Sequence, residues 1–570
     1  MKPVIFAFLL AACGSSALPV AGQVWQRALQ SGGLNLRNNT LTVSAADAAG
    51  NVMVAGEIAA PATAATTATF GNTVLATSAD SALGFVAKLS PAGQWLWAVP
   101  VGKRLRVGSD RSVAVSGVAL TPTGDVVATG VFGGTLRLGA TVLVSAGDLD
   151  GYVARLNGAT GQWQWAERFG GVRQELSNAV ALAPNGDIVV AGRFLSLQLA
   201  FGALAPLVLT GGTGDSFVAR LDGTTRQWQW AASATGNYGN VAAAVAVDGA
   251  GRTVVTGNFR SEVLTFGALP PLVHSPRPPS TSNGDMYVAQ LSPTGQWLWA
   301  KGFGADGADA GHTVAVTAAG DVAVGGIVDG GVVIGSTTIT RGGFVVKLSA
   351  AGQWQWGASI TGGQYIRVHH VAFGAAGQVL VAGEFPTPFA FFKPNLMQLT
   401  QVGIGGGDGF VGELSAAGRW EWVAQVAGPA YEGTHAVLPQ PAGRTLAVGV
   451  MSSDPTRFGA VARPLVRAAA AEQNIFVATL VPVSVGLAAV GAPEAAFSVF
   501  PNPARGTARV VLPAGSPAGH LALLDALGRV VQTYPTAAGA LTAELRLHGV
   551  APGAYVVRHG TRVQRLVVTY

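Results

Sequence analysis

The sequence predicts an all-β protein, a seven-bladed β-propeller closed by an N-terminal strand and followed by a small Ig-like β-sandwich. Gly accounts for 79 of 570 residues and charged residues for 11 %, while 49 % are hydrophobic, a composition typical of many short apolar strands separated by turns. Twelve of the 13 tryptophans recur in Trp-x-Trp pairs. After residue 481 this pattern stops and a different one begins, which indicates a second domain.

The tryptophan pairs mark a repeat unit. First members of successive pairs are 68, 65, 69, 57 and 66 residues apart, far longer than a helical-solenoid repeat. Within each unit, apolar residues alternate at period two and an Asn-Gly or Thr-Gly turn joins the first two strands. Four strands and a variable hairpin are therefore expected per unit. The pairs are Trp95/Trp97, Trp163/Trp165, Trp228/Trp230, Trp297/Trp299, Trp354/Trp356 and Trp420/Trp422.

The ends of the repeat region predict its closure. The seventh unit has a third strand at residues 475–480 but no tryptophan strand after it. The unpartnered segment 22–27, which contains Trp25, matches the tryptophan strand of the first unit at 93–97. We therefore expect the N-terminal strand to complete the last blade, so that no sheet edge is left unpaired. The predicted propeller spans residues 23–481, with six or eight blades as the alternative counts.

The first 22 residues are predicted to be a signal peptide. Met1-Lys2 and the apolar run 4–12 have the charge and length of a secretory leader, too short for a permanent membrane span. Cleavage is expected near residues 20–22, or alternatively at a lipoprotein-type box before Cys13, the only cysteine. No transmembrane segment is expected in the mature protein. The net charge of +6 comes from dispersed residues and does not indicate a nucleic-acid partner.

Two resemblances to known families follow from the residues. The pattern at 284–297, Gly-Asp-Met-Tyr-Val-Ala-Gln-Leu-Ser-Pro-Thr-Gly-Gln-Trp, resembles the bacterial β-propeller repeat family called SBBP, which is defined by its repeat and implies no reaction. After a linker at 482–496, the blocks at 497–506, 523–531 and 549–557 resemble the type A sorting domain of the type IX secretion system. This predicted domain covers residues 497–570. Its sorting motif consists of Phe500, Pro501, Asn502, Pro503 and Gly506.

The second resemblance implies a location and a partner. Members of that family pass through the periplasm and are routed across the outer membrane by the type IX machinery. The domain is usually removed there, often with anchoring to surface lipopolysaccharide. The protein is accordingly expected to be secreted or attached to the outer-membrane surface.

No catalytic constellation is evident: the chain has no phosphate-binding Gly-rich loop with Lys, paired-His zinc motif or nucleophile elbow. We predict no enzyme activity and no cofactor. Asp125, Asp187 and Asp321 follow the hairpin glycines, where carboxylates are expected to bond local backbone N–H groups. A second recurring set of aspartates precedes the third strands and is interpreted as turn caps rather than calcium ligands. It consists of Asp150, Asp215, Asp285 and Asp408.

One recurrence carries candidate site residues. Eight residues before the turn glycine of successive units stand Ser116, Asn178, Ala243, His312, His369 and His435. If these residues open the innermost strands, Asn178 and the three histidines gather near one mouth of the central channel as candidate ligand-binding residues. The three imidazoles there could bind a transition metal or an anionic ligand. The alternative is that each side chain only hydrogen-bonds its neighbour around the ring. This alternative is favoured because the fourth unit has alanine there and no acid partner is evident.

The tryptophan pairs also allow two interpretations. Residues i and i+2 share one face of a strand, so both tryptophans are predicted to pack against the adjacent blade. The alternative is a set of exposed platforms for stacking sugars. For the whole protein we therefore consider a module that binds an extracellular glycan or protein, a metal-assisted hydrolase or lyase using the axial histidines, and a structural matrix protein.

Overall fold

The computed structural model describes residues 23–30, 42–47, 49–60, 65–79, 81–105, 113–211, 213–274, 284–305, 307–334, 337–363, 365–401, 406–458, 465, 474–482, 497–512, 516, 518–525, 530–559 and 562–569. These residues form β-strands and one 3-10 turn, η1 (Pro441–Gly443), so the protein is all-β as predicted. The chain divides into two compact units, residues 1–483 and 484–570. The predicted signal peptide and nearly all of the predicted linker lie outside the described residues.

The described residues of the first unit form seven sheets of four long strands each, to which short strands are added. Strand β1 (Gln23–Gln30) comes first in the chain. Sheet 1 follows with β2 (Thr42–Ala46), β3 (Val52–Ala59), β4 (Thr66–Phe70), β5 (Thr73–Thr77), β6 (Ser81–Leu89) and β7 (Trp95–Leu105). Sheet 2 has β8 (Val113–Leu120), β9 (Val126–Phe132), β10 (Thr135–Leu138), β11 (Thr141–Val144), β12 (Asp150–Leu156) and β13 (Trp163–Phe169). Sheet 3 has β14 (Glu175–Leu182), β15 (Ile188–Phe194), β16 (Gln198–Leu199), β17 (Leu207–Val208), β18 (Asp215–Leu221) and β19 (Trp228–Ala234).

The remaining sheets repeat this order. Sheet 4 has β20 (Asn240–Val247), β21 (Thr253–Phe259), β22 (Val263–Leu264), β23 (Leu272–Val273), β24 (Asp285–Leu291) and β25 (Trp297–Phe303). Sheet 5 has β26 (Ala310–Val316), β27 (Val322–Val328), β28 (Val332–Ile334), β29 (Thr337–Ile339), β30 (Gly342–Leu348) and β31 (Trp354–Thr361). Sheet 6 has β32 (Arg367–Phe373), β33 (Val379–Phe385), β34 (Phe389–Lys393), β35 (Met397–Thr400), β36 (Asp408–Leu414) and β37 (Trp420–Ala427). Sheet 7 has β38 (Glu432–Pro439), β39 (Thr445–Met451), β40 (Arg457–Phe458) and β41 (Asn474–Pro482).

In sheets 1 to 6 four antiparallel strands pair in chain order, and the extra short strands of each form a hairpin. The hairpin of sheet 6 (β34 and β35) pairs with β31 of sheet 5, and the single short strand β40 of sheet 7 pairs with β37 of sheet 6. Sheet 7 takes its fourth strand from the start of the chain. There β1 pairs antiparallel with β41, with Trp25 opposite Leu480 and Gln30 opposite Phe476. The predicted pairing of the N-terminal strand with the seventh unit is thus confirmed, and it leaves β41 with a neighbour on both sides.

Apolar side chains fill the space between successive sheets. In the described residues, one buried cluster lies between each sheet and the next, from sheets 1 and 2 to sheets 6 and 7. A further cluster joins sheet 1 to sheet 7, where Val52 and Phe85 share a core with Val448 and Ile475. The first strands also contact one another in sequence, and β38 contacts β2. Successive sheets are therefore packed face to face, and sheet 1 also shares a core with sheet 7.

The tryptophan pairs make contacts between and within these sheets. In four pairs the second tryptophan donates to a backbone carbonyl in the turn before the last strand of the next sheet, as Trp97 Nε1 does to Gly158 O at 3.1 Å and Trp356 Nε1 to Ala416 O at 2.9 Å. In four pairs the first tryptophan packs edge-on against a phenylalanine of the hairpin segment, as Trp420 does with Phe392 at a centroid distance of 5.0 Å. All twelve paired tryptophans are buried or half-buried. This supports the packing interpretation over exposed sugar platforms.

The second unit has seven strands. They are β42 (Ser498–Arg505), β43 (Thr507–Val511), β44 (Gly519–Leu524), β45 (Val530–Thr536), β46 (Thr542–Arg546), β47 (Gly553–His559) and β48 (Arg562–Val568). They pair in the order β45-β44-β47-β48-β42-β43-β46, and β42 links two groups because it pairs with β43 and, at Ala504, in parallel with β48. Phe497, Leu523, Leu545 and Leu566 are among the residues of one shared core. This unit has its own hydrophobic core, as a small independent domain requires.

Candidate functional site

The recurring position found in the sequence is a β-bulge. In the first strand of sheets 2 to 7, the pairing register with the second strand slips by one residue at the same place. In β14, for example, Ser177 lies opposite Gly192 and Ala179 opposite Ala191, so no residue of β15 lies opposite Asn178 in the pairing register. A bulged residue is free of ladder pairing and its side chain is re-aimed. The bulged residues are Ser116, Asn178, Ala243, His312, His369 and His435.

Several bulged side chains bond the backbone of the next sheet. Asn178 Nδ2 donates to the carbonyl of Ala242 at 2.9 Å, and His312 hydrogen-bonds the backbone of Val368. Ala242 and Val368 occupy the same place, directly before the next bulge. At these two positions the bulged side chain therefore joins neighbouring sheets, which is the contact anticipated by the alternative interpretation.

Four of the bulged residues also line a cavity. Its volume is about 390 Å³, and first strands of sheets 2 to 6 supply its wall. Ser116, Asn178, His312 and His369 contribute polar groups, as does His370 beside them. Of the four predicted site residues, three thus meet at one cavity. His435 is not among the residues that line it.

His435 instead takes part in a polar cluster with His369. The two imidazole rings stack with centroids 5.0 Å apart and planes 19° apart. His369 Nε2 lies 3.5 Å from Glu384 Oε2, and Tyr431 donates its hydroxyl to the same oxygen. The guanidinium of Arg367 approaches the other carboxylate oxygen, Oε1, at 3.7 Å. The cluster therefore has one carboxylate surrounded by donors from sheets 6 and 7.

Burial sets the charge state of this region. Burial, with a smaller coulombic contribution from His369, lowers the pKa of His435 to about 3. It likewise lowers the pKa of His312 to about 4, with His369 and Arg367 acting in the same direction. Burial opposes ionisation of Glu384, but hydrogen bonding and charge from His369, with help from Tyr431 and His435, hold its pKa at about 2. Near neutral pH the site has a carboxylate and neutral imidazoles at His312 and His435.

The sequence-based expectation that no acid partner is available to these histidines is wrong. Glu384 is the penultimate residue of β33, opposite Arg367 in the pairing register. The sequence did contain a signal for this partner. Glu384 is an ionisable residue in an otherwise apolar second strand, at the position where β9 has Val131 and β39 has Val450. The partner was missed because it lies on the neighbouring strand, at no fixed spacing from His369. Tyr431 and Arg367 were missed for the same reason.

A metal centre is not evident. Within the described ranges, no group of three or more histidine, cysteine, aspartate or glutamate side chains is arranged to hold a metal ion. His312, His369 and His435 lie on the first strands of consecutive sheets, but His369 faces Glu384 and stacks on His435. The arrangement suits hydrogen bonding and stacking.

The turn aspartates make an additional contact that the sequence did not predict. Asp125 accepts a backbone N–H bond, from Gly158 at 3.0 Å, and each of the three carboxylates also pairs with a basic side chain on the third strand of its own sheet. This brings opposite charges together where the strands end. The pairs are Asp125 with Arg155 at 2.9 Å, Asp187 with Arg220 at 2.9 Å, and Asp321 with Lys347 at 3.0 Å.

The aspartates before the third strands are buried and behave as caps. Asp215 accepts hydrogen bonds from the backbone N–H groups of Thr210 and Gly236, both at 3.1 Å. Asp150 accepts from Ala146 N–H at 2.9 Å. Loop N–H groups thus donate hydrogen bonds to these carboxylates, in agreement with the predicted turn-capping role.

The residues of the predicted sorting motif lie on and just after β42. Asn502 Oδ1 accepts the backbone N–H of Val567 at 2.8 Å, which ties the motif to the last strand of the unit. Gly506 has a φ of 75° and its carbonyl accepts from Leu547 N–H at 2.8 Å. Phe500 is 47 % exposed. The motif therefore combines a structural amide with an accessible aromatic ring.

Comparison with known families identifies this second unit. Residues 498–568 match the secretion system C-terminal sorting domain. Such a domain is handled by the type IX secretion machinery, so the protein is exported and reaches the cell surface or the medium. No curated protein matches the sequence. Over the part of the chain that the structure describes, no helix has the length and apolar character needed to cross a membrane.

Solved structures similar to this chain include propellers. The Neurospora crassa Pan2 WD40 domain matches with 8 % identity and a TM-score of 0.37, covering 80 % of this chain and 97 % of that one. The Dos1 propeller matches with 9 % identity and a TM-score of 0.36, covering 79 % and 95 %. Quinohemoprotein alcohol dehydrogenase from Comamonas testosteroni matches with 11 % identity and a TM-score of 0.35, covering 80 % and 76 %.

Proposed function

We propose that this protein is an exported binding module, a closed seven-bladed propeller that takes an extracellular glycan or protein ligand at its axis. Seven cyclically packed sheets support the propeller, and the pairing of β1 with β41 supports its closure. The repeat is of the SBBP type and spans residues 23–481. A signal peptide at 1–22 precedes it, and a linker at 482–496 joins it to the sorting domain at 497–570. After secretion the module is displayed on the surface or released.

The observation that carries the binding role is the axial cavity of about 390 Å³. Its wall includes Asn178, His312 and His369 at bulges, where the side chain is not fixed by strand pairing. Ligand sites are concave and place a few polar groups in a mostly apolar wall. The apolar part here comes from residues such as Val180 and Val314.

The chemistry of the wall favours a neutral polar ligand. Burial lowers the pKa of His312 to about 4, so its imidazole is uncharged at neutral pH and has one donor and one acceptor nitrogen. An amide such as Asn178 likewise has both. Sugar hydroxyls and peptide amides match such mixed groups. His435 does not line the cavity but contacts a residue that does, since its ring stacks on that of His369.

The test is a ligand screen with the full-chain protein. Wild type is applied to an array of neutral and acidic glycans and to immobilised peptides, and the affinity for any hit is then measured for Asn178→Ala and His312→Ala. We expect a neutral hit whose affinity falls at least about tenfold in both variants. The matched control is His548→Ala, an exposed histidine of the other unit, which should bind as wild type does.

Two results contradict the proposal. Binding that survives both cavity substitutions places the ligand elsewhere. Absence of binding to every probe, with a cooperative unfolding transition showing that the protein is folded, rejects the binding role and leaves the structural one.

A further inference from the structure

A small pocket lies between sheets 7 and 1. Its volume is about 210 Å³. Sheet 1 supplies one wall, from the turns at residues 49–50 and 90–91 and from Val52. Sheet 7 supplies the other wall with Leu29, Gln440, Pro441, Arg444, Leu446, Val477 and Thr479. None of these residues lines the axial cavity, so the pocket is separate from the site of the proposed function.

The pocket is present where sheet 7 departs from the repeat. Directly before the leucine that ends the third strand, the other sheets have a long polar side chain, and two of these side chains cross to the next sheet. Lys88 donates to Gly158 O and Arg220 to Gly251 O, both at 3.0 Å. Sheet 7 has Thr479 at this position, and a threonine is too short to cross. The long side chains are those of Lys88, Arg155, Arg220, Gln290, Lys347 and Glu413.

The turn of sheet 1 also has a backbone acceptor that other turns have already used. At four other junctions an indole N–H donates to the second carbonyl of the turn, as Trp230 Nε1 does to Pro293 O at 2.8 Å. In sheet 1 this carbonyl belongs to Pro91, which lines the pocket. Arg27 stands in place of the second tryptophan and donates to Ala92 O instead. In the described part of the chain, Pro91 O accepts no hydrogen bond.

Arg444 gives the pocket a positive charge. It follows a turn glycine at the position where sheets 2, 3 and 5 have an aspartate. Its side chain is exposed and, among the described residues, has no ion-pair partner. No aspartate or glutamate lines the pocket. The acid that precedes the wall in sequence, Asp47, is paired with Lys88 at 3.4 Å. An anionic group in the pocket would therefore meet one uncompensated guanidinium.

The rest of the wall is mostly apolar. A cavity of about 150 Å³ with an apolar lining holds a benzene ring. The pocket between sheets 7 and 1 is somewhat larger and thus has room for one side chain of the size of leucine or phenylalanine. Its apolar lining comes chiefly from Leu29, Val52, Pro91, Leu446 and Val477.

We propose that this pocket binds the C-terminal residue of an extracellular polypeptide whose last side chain is apolar. Such a residue has three groups that match the wall: a carboxylate for Arg444, a backbone N–H for Pro91 O, and an apolar side chain for the surface around Leu29. Arginine binds carboxylates through paired, charge-assisted hydrogen bonds. A simple carboxylic acid lacks the N–H and would leave Pro91 O unused. Capture of a chain end is a recurring mode of peptide recognition, and the exported protein meets extracellular chain ends.

The experiment measures binding of fluorescein-labelled pentapeptides to the full-chain protein by fluorescence anisotropy. The probes are Gly-Ser-Gly-Ser-Leu and Gly-Ser-Gly-Ser-Phe, each with a free C-terminal carboxylate or a C-terminal amide. We expect wild type to bind at least one free-acid probe, and its amide at least about tenfold more weakly. In Arg444→Gln the free acid should bind as weakly as the amide. The matched control, Arg137→Gln on the exposed face of β10, should retain the wild-type difference.

A second variant fills the pocket. Thr479→Lys restores the long side chain that sheets 1 and 5 have at this position, and it should abolish binding of the free acid while unfolding stays cooperative. If this variant does not fold, Arg444→Gln at its exposed position decides the test.

Four results overturn the proposal. They are a wild type that binds neither free acid, amides that bind as tightly as acids, unchanged binding in Arg444→Gln or in folded Thr479→Lys, and equal weakening in Arg137→Gln. His312→Ala should bind the probes as wild type does, because the axial cavity takes no part. Loss of binding in that variant would place the peptide at the axis and equally contradict the assignment of the pocket.

Discussion

Arg27 on the first strand donates from Nη2 to the backbone carbonyl of Ala92 at 2.6 Å, in the turn before the last strand of sheet 1. Trp97 makes the equivalent contact from sheet 1 to Gly158 of sheet 2. Two positions along, Leu29 covers Gly93 so closely that a Cβ there would stand 2.1 Å from Leu29 Cδ1. The N-terminal strand thus performs for sheets 7 and 1 the joining role that tryptophan strands perform elsewhere.

The first prediction concerns this junction. Replacing Leu29 by Asp should lower the free energy of unfolding by about 2 kcal/mol or more, because it removes apolar contacts and places a charge against sheet 1. Chemical denaturation of the purified protein measures the loss. Gln26→Asp on the same strand is the control, since Gln26 is exposed and its change should have little effect. Equal stability of the two variants would contradict a joining role for β1.

The second prediction isolates the contact between a tryptophan and a glycine. Gly418 has a φ of 79°, and a Cβ there would stand 2.6 Å from Trp356 Cδ2, whereas Gly377 has a φ of 80° with nothing within 4 Å. Both Gly→Ala changes impose the same backbone strain, about 1 kcal/mol. Only Gly418→Ala should add a packing penalty of about 1–3 kcal/mol. Denaturant midpoints should therefore separate the two variants; coincident curves would show that Trp356 moves aside freely.

The third prediction is a loss of stability in acid. Since His435 has a pKa of about 3 in the folded protein against an ordinary 6.5, its stabilising effect is complete above pH 6.5 and is lost as pH falls toward 3. Glu384, with a pKa of about 2 against 4.5, acts in the same direction below pH 4.5. Burial raises the pKa of Glu432 to about 7, which opposes the trend between pH 4.5 and 7.

Replacing His435 by Gln should make the decline shallower. Each fully titrating group contributes about 1.4 kcal/mol per pH unit to the slope of the unfolding free energy, and His435→Gln removes one such group. Unfolding free energies measured from pH 7 to pH 4 test this. His548→Gln in the sorting domain serves as the control. An unchanged slope in His435→Gln would mean that the imidazole is not protonated on unfolding as expected.

The fourth prediction separates folding from recognition in the sorting motif. Asn502→Ala removes the bond to Val567 N–H and should destabilise this unit by about 1 kcal/mol or more. Phe500→Ala should leave its stability nearly unchanged, because the ring is 47 % exposed. Export of both variants in a type IX secretion host is then compared. Export lost in Phe500→Ala without loss of stability would identify the ring as a recognition element; normal export would assign it no such role.

Much of the framework could be predicted from the sequence because it depends on local repetition. Period-two alternation and Gly turns specify the strands, and the missing tryptophan strand of the last unit predicted the partner of Trp25. The spacing from the turn glycine to Asn178 and its equivalents located one shared structural position without showing that it is a bulge. A bulge depends on the register between two strands, and one sequence pattern does not report it.

The candidate site was less predictable because it is made between strands. Glu384 and Tyr431 reach His369 from a second strand and from the loop before the next sheet. The pairing of Asp125 with Arg155 has the same origin, since the two residues come from different hairpins of one sheet.

The unpaired residue in each first strand gives the molecule room to diversify. Because strand pairing passes over the bulged positions, the side chains of Ser116 and Ala243 can be exchanged with little effect on the surrounding framework, whereas exchange of Asn178 or His312 also removes a hydrogen bond to the next sheet. Gene variation or laboratory libraries restricted to these few codons could therefore alter ligand preference in successive steps while solubility and secretion are retained.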